Sequence, residues 1–205
     1  LVLLIVALNA FFVAAEFAIV KVRATQIESL SKSGLKRARR AQQVITHLDI
    51  YLSASQLGIT MTSLGLGWVG EPAVAHLLEP LFRWSGISDP AVITTISFGV
   101  GFTLITFLHI VLGEQAPKWL AIQQAQRVTL LIAGPLHAFY VVFRPFIWLL
   151  NRCANYFVRL IGIQPAGEGE LVHSEEELRM MLSKGKTISS TGRSILLNTL
   201  ELRDR

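Results

Sequence analysis

A short stretch in the middle of the chain, Gly113 to Lys118, holds the residues best suited to chemistry. Pro117 has no backbone N–H, so the carbonyl of Gly113, four residues earlier, loses its usual helical partner. The carboxylate of Glu114 follows directly after that freed carbonyl. Carbonyl and carboxylate oxygens are ligands of hard cations, so the stretch predicts a site for Mg²⁺ or Na⁺. The alternative is an i,i+4 ion pair between Glu114 and Lys118.

Three apolar stretches carry polar side chains at helical spacing. Glu16 follows Asn9 by seven residues, which places both on one face of a helix. A second helical face, with spacings of three, four and three, is formed by Ser53, Gln56, Thr60 and Ser63, while Ser55 and Thr62 lie on another face. A third face, with spacings of four, three, three and four, is formed by Gly99, Thr103, Thr106, His109 and Gly113.

Convergence of these faces predicts a cation site in which Gln56, Gly58 and Thr60 face Glu16 and the Gly113–Glu114 backbone. Ionisable residues inside a membrane are costly and are therefore functional candidates. Other interpretations stay open. Glu16 can reach the interface or pair with Lys21, the hydroxyls can join helices by hydrogen bonds, and His109 can bond a neighbouring carbonyl.

Long gaps in charge indicate the elements that must position these residues. The chain is 52% hydrophobic and 16% charged, against about 25% charged residues in soluble domains. A helix needs roughly 20 apolar residues to cross a bilayer. We therefore predict spanning helices over residues 1–22, 50–69 and 90–113, with a break in the Gly- and Pro-rich stretch of residues 65–72. Residues 128–150 form either a hairpin that re-enters the membrane, which we favour, or a fourth span.

Basic residues directly after the first apolar run predict the orientation. Seven cations stand against the single acid Glu28: Lys21, Arg23, Lys32, Lys36, Arg37, Arg39 and Arg40. This juxtamembrane placement favours an N-terminus outside, with residues 25–47 and 170–205 in the cytoplasm. It also argues against nucleic acid as the partner of a chain with net charge +5 and favours anionic lipid head groups. Residues 25–47 are expected to be helical, with an interruption at Ser33-Gly34.

The end of the chain has the composition of a soluble segment. Residues 164–169 read as a Pro/Gly linker, and Ser174 with Glu177 forms a capping box that opens a helix. The predicted fold class is an all-α membrane protein with three transmembrane helices, juxtamembrane or re-entrant helices and the start of a cytosolic helical bundle. Its domains are residues 1–163 in the membrane and 164–205 as linker and partial bundle. The single cysteine, Cys153, excludes an intrachain disulfide, and no enzyme motif such as HExxH or Walker A occurs, so an enzyme is not predicted.

Four motifs resemble one known family. The stretches NAFFVAAEFA (9–18), LSASQLGITMTSLGLGWVGEP (52–72) and GEQAPKWLA (113–121) are similar to the DUF21 transmembrane domain of the CNNM/CorC magnesium transporters, and HSEEELRMML (173–182) is similar to the opening of that family's acidic helical bundle. The resemblance implies a homodimer in the plasma membrane, here the inner membrane of a bacterium, and Mg²⁺ export coupled to Na⁺ entry. It also implies nucleotide binding by CBS domains that would follow this chain.

The same resemblance implies a ligand set, with departures. The family's FFSGSE motif reads Phe11 to Glu16 here without its serines, and its Gly-Asn-Asn motif reads Gly58-Ile59-Thr60. The acidic-x-x-Pro-Lys pattern is kept at Glu114, Pro117 and Lys118. The predicted metal residues are Glu16, Ser53, Gln56, Gly58, Thr60, Gly113, Glu114 and Pro117, with backbone or water ligands replacing the lost side chains. The competing hypothesis is a membrane-anchored regulatory or scaffold protein without transport activity.

Overall fold

The computed structural model describes residues 1–86 and 89–162, and these residues fold into helices joined by short turns. In chain order the helices are α1 (Val2–Lys21), α2 (Ala24–Lys32), α3 (Lys36–Thr46), α4 (Leu48–Ser85), α5 (Pro90–Leu108), a π-helical segment (His109–Gln115), α6 (Ala116–Gln123) and α7 (Ala125–Leu160). This confirms the all-α fold class. The predicted linker and bundle helices of residues 164–205 lie outside the described residues.

Three helical stretches are long and apolar enough to cross a membrane: Val2–Lys21, Pro90–Gln123 and Ala125–Leu160. The first matches the predicted span of residues 1–22 to within one residue at each end, and the second contains the predicted span of residues 90–113. The predicted span of residues 50–69 lies in α4, whose 38 residues are long enough at about 1.5 Å per residue. It is not among the three, because its serine, threonine and glutamine residues make it less apolar.

Two predictions about interrupted helices are wrong. The favoured re-entrant hairpin is absent, because α7 continues without a break through Pro135 and Pro145. The break expected in residues 65–72 is also absent, since α4 continues through Pro72 and Pro80 to Ser85. All four prolines are exposed, so the position of each missing N–H donor is on the outer side of its helix. The helices continue through these positions.

The connector between α1 and α4 is helical with one interruption, as predicted. Gly34 separates α2 from α3 and has a φ of 90°, a left-handed conformation that glycine adopts without strain. One face of α3, formed by Ala38, Ala41 and Val44, is fully buried. The cations of α3 occupy the opposite, exposed face. Helix α3 therefore packs against the rest of the protein through its apolar face and exposes its cationic face.

Helix α1 is the centre of the compact unit that covers Leu1–Ala154. It packs against α4, the π segment and α6. Ala15 and Ala18 have no exposed surface, and these small side chains let the neighbouring helices approach closely. The core around α1 combines residues from α2, α3, α4 and α7, among them Ile27, Val44, Tyr51 and Leu136. A second unit begins at Asn155, and its described part is the end of α7 and the following turn.

Helices α1 and α4 approach each other closely at Gly58. A Cβ atom on this glycine would overlap the ring of Phe12. The ring cannot easily move away, since Phe12 is 6% exposed and meets the ring of Phe139 edge-on at 4.7 Å between centroids. Gly65, seven residues further along α4, differs, because a Cβ there would meet nothing within 4 Å.

We expect Gly58→Ala to destabilise the protein by about 1–3 kcal/mol, the usual cost of overpacking a filled core. Gly65→Ala is the matched control in the same helix and should leave stability unchanged or raise it by up to about 1 kcal/mol, because alanine favours a helix more than glycine does. Thermal unfolding in mild detergent, followed by tryptophan fluorescence, measures both changes. Equal midpoints for the two variants would contradict this close contact.

Candidate functional site

The described residues form a buried polar cluster where α1, α4 and the π segment meet. At its centre is Asn9, which is 1% exposed and lies in the charge-free first part of helix α1. Its amide nitrogen Nδ2 donates a hydrogen bond to the carbonyl oxygen of Gly113 at 3.0 Å. Its Oδ1 lies 2.8 Å from the hydroxyl oxygen of Thr62 and 3.4 Å from that of Ser63. One amide side chain therefore connects three separate elements.

The π segment explains why the Gly113 carbonyl is available. Pro117 supplies no N–H, so this oxygen lacks the partner that a regular helix would give it. The helix widens into a π-helical segment from His109 to Gln115 and does not unwind. Such segments are rare and occur frequently at functional sites. The predicted freed carbonyl is thus present, and its partner in this structure is the Asn9 amide.

The hydroxyls of α4 have alternative acceptors. Thr62 Oγ1 lies 2.8 Å from the Gly58 carbonyl oxygen as well as 2.8 Å from Asn9 Oδ1. Ser63 Oγ lies 3.3 Å from Nε2 of His109 and also near Asn9. A hydroxyl has one proton, so each can donate to only one of these acceptors at a time. The cluster can therefore change its hydrogen-bond pattern without moving a helix.

A cavity of about 180 Å³ opens beside the cluster, between α4 and the α5–π segment. Ser63, Thr106 and His109 give it polar groups, and the rest of the lining is glycine, leucine, isoleucine and phenylalanine. This is room for several water molecules. Within residues 1–86 and 89–162, no three His, Cys, Asp or Glu side chains converge on one point. The atoms that do converge are amide, hydroxyl and carbonyl oxygens, which hard cations accept as ligands.

The structure brings together only part of the predicted site. Gly113 and the carbonyl of Gly58 belong to the Asn9 cluster. Pro117 is buried in the first turn of α6, directly after the π segment. Ser53 lies elsewhere, because its hydroxyl is 3.0 Å from Oδ1 of Asn151 on α7.

The other four predicted residues make no side-chain bond to another helix within the described part of the chain. Thr60 is exposed and donates to the carbonyl of Gln56 in its own helix, and the Gln56 side chain is exposed. Glu16 is half-buried and Glu114 is exposed. The ion pairs left open for them do not form among the described residues. Lys118 lies instead 4.8 Å above the ring of Phe17. Whether any of these residues binds a metal stays a prediction.

Sequence reasoning missed Asn9 as the central residue. It placed Asn9 on the face of Glu16, and it placed Thr62 on a different face of α4 from Ser63. The available signal was an amide side chain within a 15-residue stretch that carries no charge. Such a group must find partners inside the protein. Its partners could not be identified, because Gly113 is 104 residues away in the sequence.

Known proteins match most of this chain. A sequence model described as the cyclin M transmembrane N-terminal domain matches residues 1–190. Similar relatives include the UPF0053 protein YhdT of Bacillus subtilis, 57% identical over 88% of this chain and 39% of the relative. The UPF0053 protein YrkA of the same organism is 53% identical, over 88% of this chain and 42% of the relative. The chain thus spans about two fifths of the length of these relatives. The UPF0053 protein sll0260 of Synechocystis is 34% identical over 88% of the chain and 40% of the relative.

Replacing Asn9 with Ala should destabilise the protein by about 1–2 kcal/mol, because the Gly113 carbonyl loses its buried donor. The matched control is Thr103→Ala, whose hydroxyl is exposed and donates only within its own helix, to Gly99. We expect the control to change stability by less than about 0.5 kcal/mol. Chemical unfolding in detergent micelles measures both. Equal losses in the two variants would show that the Asn9 contacts contribute nothing specific.

Proposed function

Because the chain belongs to the cyclin M (CNNM) family of membrane proteins, we propose that it is the transmembrane part of a Mg²⁺ transporter that exports Mg²⁺ in exchange for Na⁺. The family match and the three apolar helices support a multi-pass membrane protein. The activity is the one that the resemblance of its motifs implies. The proposal also places the chain in the plasma membrane with its N-terminus outside, in accord with the cations of residues 21–40.

The proposal is supported mainly by the bonding of the Gly113 carbonyl oxygen, which accepts a hydrogen bond from another helix. A carbonyl oxygen has two lone pairs, and Asn9 uses one of them. The second lone pair is not taken by a regular helical bond, since position 117 has no N–H. A cation beside the π segment can use it without breaking the contact to Asn9. Oxygen ligands of this kind, from broken or widened helices, are typical of ion sites in transporters.

The loss of the family's two serines favours a cation site built from backbone carbonyls and water. Val13 and Ala15 stand where many family members have serine, and both are buried apolar side chains here, 3% and 0% exposed. Mg²⁺ prefers six oxygens in octahedral geometry and gives up water reluctantly. A site with fewer side-chain oxygens therefore retains more water. The cavity beside Ser63 and His109 offers space for such water.

The exposure of Glu114 supports a homodimer. Its side chain and that of Gln115 are exposed on the single chain, although they lie within the apolar stretch Pro90–Gln123. A carboxylate facing lipid is costly, so such groups face a protein interior or a water-filled cavity. A second copy of the chain would provide that environment.

We also propose that nucleotide binding belongs to CBS domains outside this chain.

One observation favours the competing scaffold function. The bonds of Asn9 to Gly113 and Thr62 stay within the protein, as hydrogen bonds that only join helices would. A scaffold needs nothing more from these residues. The two functions differ in flux, because only a transporter moves Mg²⁺ and needs a carboxylate at position 114.

The test is Mg²⁺ flux through the full-length protein in liposomes, with an opposing Na⁺ gradient. We expect flux in the parent, and a fall of at least about tenfold in Glu114→Gln, equivalent to about 1.4 kcal/mol in the barrier. Pro117→Ala lets the Gly113 carbonyl rejoin a regular helix and should weaken the thermal stabilisation that Mg²⁺ gives.

Two variants control for charge and for proline. Glu79→Gln removes an exposed carboxylate that pairs with Arg83, and Pro80→Ala removes an exposed proline within α4. Both should transport and bind Mg²⁺ like the parent. If the parent carries no Mg²⁺, the scaffold function is favoured. If Glu114→Gln and Pro117→Ala match the parent in flux and binding, the proposed site is wrong.

A further inference from the structure

We propose that a cavity between the α2–α3 turn and the start of α7 binds an anionic phospholipid, with the phosphate held by three cations and an acyl chain lying along leucines. This basic cavity has a volume of about 580 Å³. Its cations are Lys36, Arg37 and Arg127, and its apolar lining is Leu35, Leu130 and Leu131. The inference is independent of the transported ion and requires only that the chain is embedded in a membrane.

The basic cavity carries positive charge that favours an anion. Its cations come from two elements that are about 90 residues apart in sequence, and none of the three forms an ion pair within the described part of the chain. The nearby acid Glu28 is already engaged, because Lys32 contacts it at 2.7 Å. The hydrogen bond from Lys32 lowers the pKa of Glu28, so this pair stays charged and closed on itself. Three positive charges therefore surround the cavity without compensation from these residues.

The start of α3 adds to the positive potential. The N-cap residue Leu35 offers no side-chain oxygen, and the first turn of α3 contains no acidic residue. The partial positive charge of a helix N-terminus is thus added to the charges of Lys36 and Arg37. Electrostatic repulsion among these groups is unfavourable, and a phosphate bound between α3 and α7 would offset it.

The apolar part of the lining favours a lipid over a free phosphate. Leu131 is 69% exposed and Leu35 is 43% exposed, both at the rim of the cavity. Arg127, Leu130 and Leu131 are spaced i, i+3 and i+4 on α7, so they share one helical face. A cation followed by leucines along one face matches a phosphate followed by an acyl chain. Basic pockets at the membrane surface recognise anionic head groups in this way.

A lipid bound in the basic cavity would stabilise the folded protein. α3 is attached to the core by Ala38, Ala41 and Val44, while the cations of its other face form no ion pair within the described residues. A lipid phosphate between Lys36, Arg37 and Arg127 would join this free face to α7. Binding to the folded protein alone raises its stability. Occupation of the cavity should therefore be visible as thermal stabilisation by anionic lipid.

The experiment titrates phosphatidylglycerol, phosphatidylcholine or free glycerol phosphate into the full-length protein in mild detergent. Bound lipid is counted by native mass spectrometry, and the unfolding midpoint is measured in parallel. The cavity variant carries Lys36→Gln, Arg37→Gln and Arg127→Gln. The matched control removes three exposed cations outside the cavity lining, by Lys21→Gln, Arg23→Gln and Arg39→Gln. A further variant, Leu131→Gln, keeps every charge and removes an apolar wall.

We expect phosphatidylglycerol to bind the parent and the control at least about tenfold more tightly than phosphatidylcholine does, and this preference to be lost in the cavity variant. Leu131→Gln should also weaken phosphatidylglycerol binding. Three results would overturn the inference. The first is no preference of the parent for phosphatidylglycerol. The second is an equal loss of phosphatidylglycerol binding in the cavity variant and the control, which indicates diffuse electrostatic attraction. The third is equal stabilisation by glycerol phosphate, which indicates a site for a free anion.

Discussion

The hydrogen bond from the Asn9 amide to the Gly113 carbonyl is the contact on which the arrangement of the helices depends. Pro117 leaves that carbonyl without its helical donor, and an unsatisfied carbonyl in an apolar interior costs several kcal/mol by order of magnitude. The donor must therefore come from another helix, and it comes from α1 at 3.0 Å. The other end of the same amide accepts from α4, at 2.8 Å from Thr62. A single side chain thereby fixes the register of α1 against both neighbours.

Close packing around this contact follows from small residues. Ala15 and Ala18 on α1 have no exposed surface, and Gly58 on α4 leaves space for the ring of Phe12. Larger side chains at these positions would move the helices apart and lengthen the bonds to Asn9. In the proposed transporter the same carbonyl would also serve ion binding, because an oxygen with two lone pairs uses only one of them for Asn9. Stability and ion binding would then share one oxygen atom, which is why the scaffold function and the transporter function predict similar structures.

Predictions from sequence succeeded where local chemistry decides the outcome. The missing N–H of Pro117 was enough to predict a freed carbonyl at Gly113, and Gly34 was enough to predict the interruption between α2 and α3. They failed where a partner from elsewhere in the fold decides. Ser53 meets Asn151, 98 residues away, and no spacing rule connects the two. The Gly- and Pro-rich stretch of residues 65–72 predicted a break and residues 128–150 a hairpin, whereas α4 and α7 are continuous helices through both stretches. The sequence spacing of Glu114 and Pro117 likewise does not show that the Glu114 side chain is exposed.

The central claim is that Asn9 replaces the hydrogen bond that Pro117 removes, and a double-mutant cycle tests it directly. The free energy of unfolding is measured for the parent, Asn9→Ala, Pro117→Ala and the double variant. In Pro117→Ala the new N–H can satisfy the Gly113 carbonyl, so the loss of Asn9 should cost less there, with a coupling energy of about 1 kcal/mol. Additivity within about 0.3 kcal/mol would contradict the claim, because the two residues would then act independently of the shared carbonyl.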